Sequence, residues 1–231
     1  MGNKFMCGYD VGALVMKSWV PKPPGHISCA TNYDFPVYYY PIDNTDNKTV
    51  HGGSQTIVPA LTDATMELKD MGCKAVITSC GYFGHYQRLI AEKDIMPTYL
   101  SVVCLVPFIF NLMPEGKKLA IICYNKTKLT EGLMESCGVS KRVQEDCYIY
   151  DIINEAELGK IITDCGEYDI TKGREEVVAV AKKAVEEHKD IGAILLECTD
   201  LPPHSFAIQA ATNLPVFDST TMVKFVHSLM E

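Results

Sequence analysis

Short apolar runs alternate along the chain with longer stretches in which apolar residues recur every three to four positions. Val11-Gly12-Ala13-Leu14-Val15-Met16 is an apolar run followed by turn residues, the pattern of a buried strand. Val37-Tyr38-Tyr39-Tyr40 reads as a second strand, half-buried or at an edge, with a polar turn from Asp43 to Lys48 after it. From Ser54 to Met71, Ile57, Leu61, Ala64, Met66 and Leu68 mark an amphipathic helix stopped by Gly72. Between these elements Pro21-Lys22-Pro23-Pro24-Gly25 cannot be helical, so 19–36 is predicted to be a loop over a site or an edge. A strand over 74–80, a helix near 84–92, a strand at 97–100 and an apolar helix from Ser101 towards Met113 follow. Pro114-Glu115-Gly116 is the clearest break. The pattern then restarts with a strand at 118–123, a helix over 127–137 stopped by Gly138, and a strand at 147–150. A long helix over 171–188, a strand ending at Cys198, a short helix, a strand at 214–217 and a last helix to Met230 complete it.

Buried strands alternating with helices imply parallel sheets and an α/β fold. Two of the strands look like one unit written twice: Lys74-Ala75-Val76-Ile77-Thr78-Ser79-Cys80-Gly81 and Gly192-Ala193-Ile194-Leu195-Leu196-Glu197-Cys198-Thr199. Proline follows each cysteine at the same distance (Pro97, Pro215), and serine follows each proline at the same distance again (Ser101, Ser219). The expected architecture is two pseudo-symmetric lobes, each a mostly parallel sheet flanked by helices, with the active site between them. Residues 1–113 with 208–231 form the first lobe and 114–207 the second.

With 231 residues the chain is long enough for two lobes of about 100 residues each. A net charge of −8 offers no footprint for nucleic acid or an anionic membrane, and no apolar run nears the ~18 residues that span a bilayer. The segment Met1 to Met6 lacks a signal-peptide core. A cytoplasmic location with free thiols is therefore expected. Ten cysteines with no Cys-x-x-Cys pair give no support to a zinc or thioredoxin-type motif. Alone, either Cys80 or Cys198 would be taken for a small core residue. Their matched context at the carboxyl ends of strands, where open parallel sheets bind ligands, makes them a candidate acid/base pair. Inverting a carbon acid requires a base on one face and an acid on the other, roles that swap with direction, and duplicated lobes supply that geometry. A helix beginning just after each cysteine would lower its pKa through main-chain amides. His85 and His204, shortly after the two cysteines, are expected at the surface, and Glu197 is expected to point away from the face used by Cys198.

The motifs Thr78-Ser79-Cys80-Gly81 and Glu197-Cys198-Thr199-Asp200-Leu201-Pro202-Pro203, with the segment Gly12 to Gly25, resemble the aspartate/glutamate/hydantoin racemase superfamily, in its less characterised racemase-like branch. The resemblance implies two α/β lobes with one catalytic cysteine each, proton transfer without pyridoxal phosphate or metal, and often a homodimer. Carried over by position, Cys80 and Cys198 become the acid/base pair, and Ser79, Gly81 and Thr199 become carboxylate binders. Ser18 ends the first strand. Asn125 and Thr127 end its counterpart and equally suit plain helix capping. Gly81-Tyr82 stands where aspartate and glutamate racemases typically have Asn-Thr, and Asp200 where glutamate racemases often have His. Lys17 and Ser18 stand where many relatives carry an acid and a hydroxyl residue, which makes Lys17 a possible carboxylate partner. The expected function is a cofactor-independent amino-acid racemase or epimerase acting on a small carboxylate-bearing substrate. Hydantoin racemase, maleate cis-trans isomerase, a one-thiol decarboxylase, a non-catalytic small-anion sensor and a redox dithiol protein are the alternatives.

Overall fold

The computed structural model describes residues 7–43, 45–163 and 166–230. Within them eight strands form two four-stranded sheets in which every neighbouring pair is parallel. The first sheet contains β1 (Val11–Met16), β2 (Val37–Ile42), β3 (Ala75–Thr78) and β4 (Thr98–Tyr99), in the order β2-β1-β3-β4. The second contains β5 (Lys118–Cys123), β6 (Cys147–Asp151), β7 (Ile191–Leu196) and β8 (Val216–Phe217), in the order β6-β5-β7-β8. The second order is the first shifted by four strands, so the duplicated sequence pattern corresponds to a duplicated topology.

The repeated prolines have a local reason. Each precedes a two-residue edge strand, where a missing N–H is tolerated. Its carbonyl accepts the central strand's amide: Val76 N–H to Pro97 O at 3.0 Å and Ile194 N–H to Pro215 O at 2.9 Å. The repeated serines differ in use. Ser101 Oγ accepts from Val103 N–H at 3.2 Å and caps the next turn, whereas in the second half Asp218 takes the capping role, accepting from Thr221 N–H at 2.7 Å.

The helices are α1 (Asn47–His51), α2 (Val58–Asp70), α3 (Gln87–Ala91), α4 (Val106–Leu112), α5 (Glu131–Ser136), α6 (Lys141–Gln144), α7 (Ile170–Glu187), α8 (Ser205–Thr212) and α9 (Ser219–Ser228). α2 starts with a proline in its first turn and buries Leu61, Ala64, Thr65 and Leu68, a single stripe at helical spacing. It can approach β1 because Gly12 has no side chain: a Cβ there would lie 2.8 Å from Leu68. α7 is capped by Asp169 and buries Gly173, Val177, Ala181 and Ala184. The predicted helix over 127–137 begins later, at Glu131, because Thr130 caps it. The predicted turn at 43–48 gives way to α1.

The segment 208–231, placed in the first lobe from sequence, divides. β8 pairs with β7 in the second sheet, and only α9 crosses back to β1. There the His227 ring stacks on Phe35 at 3.6 Å. The segment Met1 to Met6 and Cys165 lie outside the described residues.

Candidate active site

Cys80 lies two residues beyond β3 and Cys198 two residues beyond β7, at the carboxyl ends of topologically equivalent strands. Both line one cavity. They reach it from different sheets. The lobes meet here directly, where Thr199 Oγ1 donates to the Ser79 carbonyl at 2.5 Å. Tyr82, Tyr124, Val20, Met16 and Ile161 supply an apolar and aromatic lining, and Lys22 places a cation at the same site.

The two thiols have different polar partners. Cys80 Sγ lies 3.7 Å from His51 Nε2. Cys198 Sγ lies 3.6 Å from Asp200 Oδ2, and the other Asp200 oxygen lies 3.2 Å from His26 Nε2. Burial pushes both thiols up, and the carboxyl groups of Glu197 and Asp200 push in the same direction. The main-chain amide two residues on, Tyr82 for Cys80 and Asp200 for Cys198, pulls each back only in part. The expected lowering by following helices is thus overturned, because desolvation outweighs one amide at the mouth of a short turn. Burial works to raise Asp200 as well, but the His26 hydrogen bond and the charges of His26 and Lys22 hold it below the usual carboxylate range. Burial and the Lys128 charge pull His51 down to about 4, so it is a neutral imidazole at pH 7.

Of the residues predicted to bind substrate, Ser18, Ser79, Gly81 and Thr199 line the cavity with the two cysteines. Two of their hydroxyls have structural duties. Ser79 Oγ accepts from Met16 N–H at 2.9 Å, and Thr199 makes the bond between lobes just described. Asn125 and Thr127 stand outside the cavity lining. Asn125 Oδ1 instead accepts from Thr127 N–H at 2.9 Å and from its hydroxyl at 2.8 Å, closing a local turn. The Asn125 main chain brackets the Tyr82 hydroxyl at 2.7 and 2.9 Å. Lys17 pairs with Asp43 at the surface. His204 is buried, not exposed, and His85 is partly buried against Gly53.

Four of the cavity residues missed as site residues from sequence bear directly on the charge and proton chemistry of the site. Lys22 and His26 come from the proline-rich loop, and His51 from the unforeseen α1. That loop is not free. His26 and Ile27 are buried, and Gly25, at φ +100°, packs so tightly on Pro203 that a Cβ would lie 2.6 Å from its Cα. The fourth is Glu197. The strand ends at Leu196, so strict alternation no longer directs Glu197 away. Its carboxyl is fully buried beside the Tyr124 main-chain amide, and a Cβ on Gly81 would meet Oε1 at 2.2 Å. Among the described residues, no group of three or more His, Cys, Asp or Glu side chains is arranged to hold a metal ion. No helix among them is long and apolar enough to cross a membrane.

Burial raises Glu197 from 4.5 to about 8, with the Tyr124 main-chain amide opposing in part. A carboxyl whose pKa is raised on folding stabilises the protein fully below its unfolded value and loses that contribution as pH rises through the folded value. The protein is therefore expected to lose stability between pH 4.5 and about 8 on account of Glu197. Glu197→Gln removes that slope. Thermal unfolding from pH 5 to pH 9 checks it: the melting temperature of the variant should gain on the parent up to about pH 8 and run parallel above.

No protein-family model matches the chain. It is 30% identical over 219 residues to a dimethylsulfoniopropionate lyase of Durusdinium sp. clade D, covering 92% of this chain and 72% of that protein. The chain belongs to the dimethylsulfoniopropionate lyase family. Dimethylsulfoniopropionate lyase 7 of Emiliania huxleyi is 26% identical over 237 residues, covering 98% of this chain and 69% of its own length. Among solved structures, allantoin racemase from Pseudomonas fluorescens has a TM-score of 0.65 at 17% identity, covering 95% of this chain and 90% of that one. A putative Asp/Glu racemase from Yersinia pestis has a TM-score of 0.61 at 15% identity, covering 96% and 99%. These likenesses show that the chain shares its fold with allantoin racemase and with the putative Asp/Glu racemase.

Proposed function

We propose that the chain is a lyase that removes a proton from the carbon next to the carboxylate of dimethylsulfoniopropionate and expels the sulfonium group. The C–H pair becomes the new C=C bond, the C–S pair leaves on neutral dimethyl sulfide, and acrylate remains. One thiol takes the proton and the other faces the substrate from the opposite lobe. The observation that carries this reading is the meeting of one cysteine from each lobe in a cavity that also holds a cation and aromatic rings. Lys22 and Ser18 suit the carboxylate, with Lys22 Nζ already donating to Ser18 Oγ at 2.9 Å. The faces of Tyr82 and Tyr124 suit a methylated cation. The names of the relatives support the same substrate.

The expected amino-acid racemase shares the first step, removal of an α-proton from a small carboxylate, and differs in the second, where the proton returns to the carbon instead of a group leaving. The retained pair of thiols favours it as a second reading. One experiment separates the two. The protein is incubated with dimethylsulfoniopropionate in heavy water, with dimethyl sulfide measured by gas chromatography and acrylate by NMR, beside aspartate, glutamate and hydantoins. Release of both products supports the lyase. Deuterium exchange into an amino acid without elimination would replace it with the racemase.

A further inference from the structure

The duplication that makes the fold symmetric breaks down chemically beside the thiols. The segment following the second strand of each sheet reaches the cavity. In the first half it is α1, which presents His51, and in the second it is the turn at Leu158–Thr163, which presents Ile161. An imidazole and an aliphatic side chain thus occupy corresponding elements. α1 is only five residues long, too short to hold itself, and its placement is specified by tertiary bonds. Asp46 and Thr49 form a reciprocal capping box at its start. The Tyr86 hydroxyl ties it down, lying within 3.3 Å of the Thr49 carbonyl and 3.1 Å of the Ser54 carbonyl. Tyr86 ends the turn that Cys80 begins, so α1 and Cys80 are held in one frame. The His51 ring packs on Tyr82 at 4.3 Å between centroids, which aims Nε2 at the Cys80 sulfur.

We propose that His51 acts through Cys80, accepting the thiol proton as the Cys80 sulfur takes the α-proton of the substrate. The C–H bond breaks as an S–H bond forms. The original S–H bond breaks as an N–H bond forms at His51 Nε2. No other reactant is needed. His51 is a positioning residue for this proton and does not touch the reacting carbon. The advantage is electrostatic. A free thiolate beside Glu197 and Asp200 is disfavoured in this buried site. In the relay no thiolate accumulates. With the elimination proposed above, the positive charge leaving the sulfonium is replaced by one on the imidazolium, so the cavity keeps its net charge. The charged and titratable groups facing His51 are Lys128 and His85, which keep it neutral, and Asp200 with Asp46, which favour its charged form.

The details rest on the lyase reading, but the His51–Cys80 pair is testable without substrate. The rate of iodoacetamide modification is followed separately at Cys80 and Cys198 by peptide mass spectrometry at pH 7, in the parent, His51→Gln and His51→Ala. The expected result is that both variants slow modification of Cys80 by about tenfold or more and leave Cys198 within twofold. Added imidazole restores Cys80 reactivity in His51→Ala. With an active substrate, His51→Gln lowers kcat by roughly 10²-fold and leaves KM unchanged. Equal slowing at both thiols, or no slowing at Cys80, would overturn the proposal. Failure of the protein to release dimethyl sulfide would overturn the lyase reading and leave the modification result to judge the pair on its own.

Discussion

Cys80→Ser lowers kcat/KM for the α-proton-abstracting reaction by about 10³-fold, the scale of a lost acid/base group, and Cys198→Ser, which alters the facing wall of the site, lowers it by less. Serine keeps the shape of the side chain, so the fold should persist; both positions are buried and each touches one polar partner. What changes is the proton. A hydroxyl gives up its proton far less readily than a thiol, so the anion that could accept a carbon-bound proton is not available near neutral pH. The two variants differ in their partners. In Cys80→Ser the hydroxyl faces the His51 imidazole, and in Cys198→Ser it faces the Asp200 carboxylate, itself held below the usual range by His26 and Lys22 against the effect of burial. The measurement is the rate of product release and of deuterium incorporation for each variant, with circular dichroism to establish folding. Full activity in either folded variant would remove that thiol from the mechanism.

Gly81→Ala should be the most damaging single methyl group in the molecule. The added Cβ would lie 2.2 Å from Glu197 Oε1 and 2.5 Å from the Glu197 carbonyl oxygen. The side-chain oxygen could move aside, but the carbonyl belongs to the strand end that carries Cys198. Relief therefore requires the two strand ends to separate, and the Thr199–Ser79 bond between lobes would stretch with them. We expect a loss of about 3 kcal/mol, which for a chain of this size lowers the melting temperature by about 10 °C. Activity should be lost even below that temperature, because the thiols move apart. A second substitution separates the two contacts. Glu197→Ala added to Gly81→Ala removes the 2.2 Å clash and leaves the 2.5 Å one, so stability should recover only in part. Full recovery would show that the side chain alone was at fault.

The same glycine marks the limit of what could be read in advance. Gly81 was expected from sequence as a neighbour of Cys80 and a carboxylate binder, and the structure makes it one of the points where the two lobes touch. That role depends on Glu197, 116 positions away in the chain. Glu197 itself was placed on the wrong face because strand alternation was extended one residue past the end of β7.

The apolar periodicity and the repeated strand–Cys–Pro–Ser spacing were sufficient for the α/β class, the parallel sheets and the pairing of Cys80 with Cys198. Such features are local. A buried strand needs an apolar run, an edge strand admits a proline, and a helix needs a stripe and a stop, so each is written in consecutive residues. The surroundings of the thiols are not local. His51 depends on a five-residue helix with too little propensity to announce itself, fastened by a capping box and by Tyr86. Lys22 and His26 sit in a loop whose prolines forbid a helix but say nothing of where the loop lies; its docking onto Pro203 and Asp200 places them. The pKa values of the thiols follow burial rather than the turns that come after them, and burial exists only once the two sheets have closed over the cavity. The sequence by itself determined the scaffold and the pair of sulfurs, because those depend on near neighbours. The tertiary structure decided which imidazoles and which ammonium stand around the sulfurs, because α1 and the proline-rich loop reach the cavity only in the folded chain.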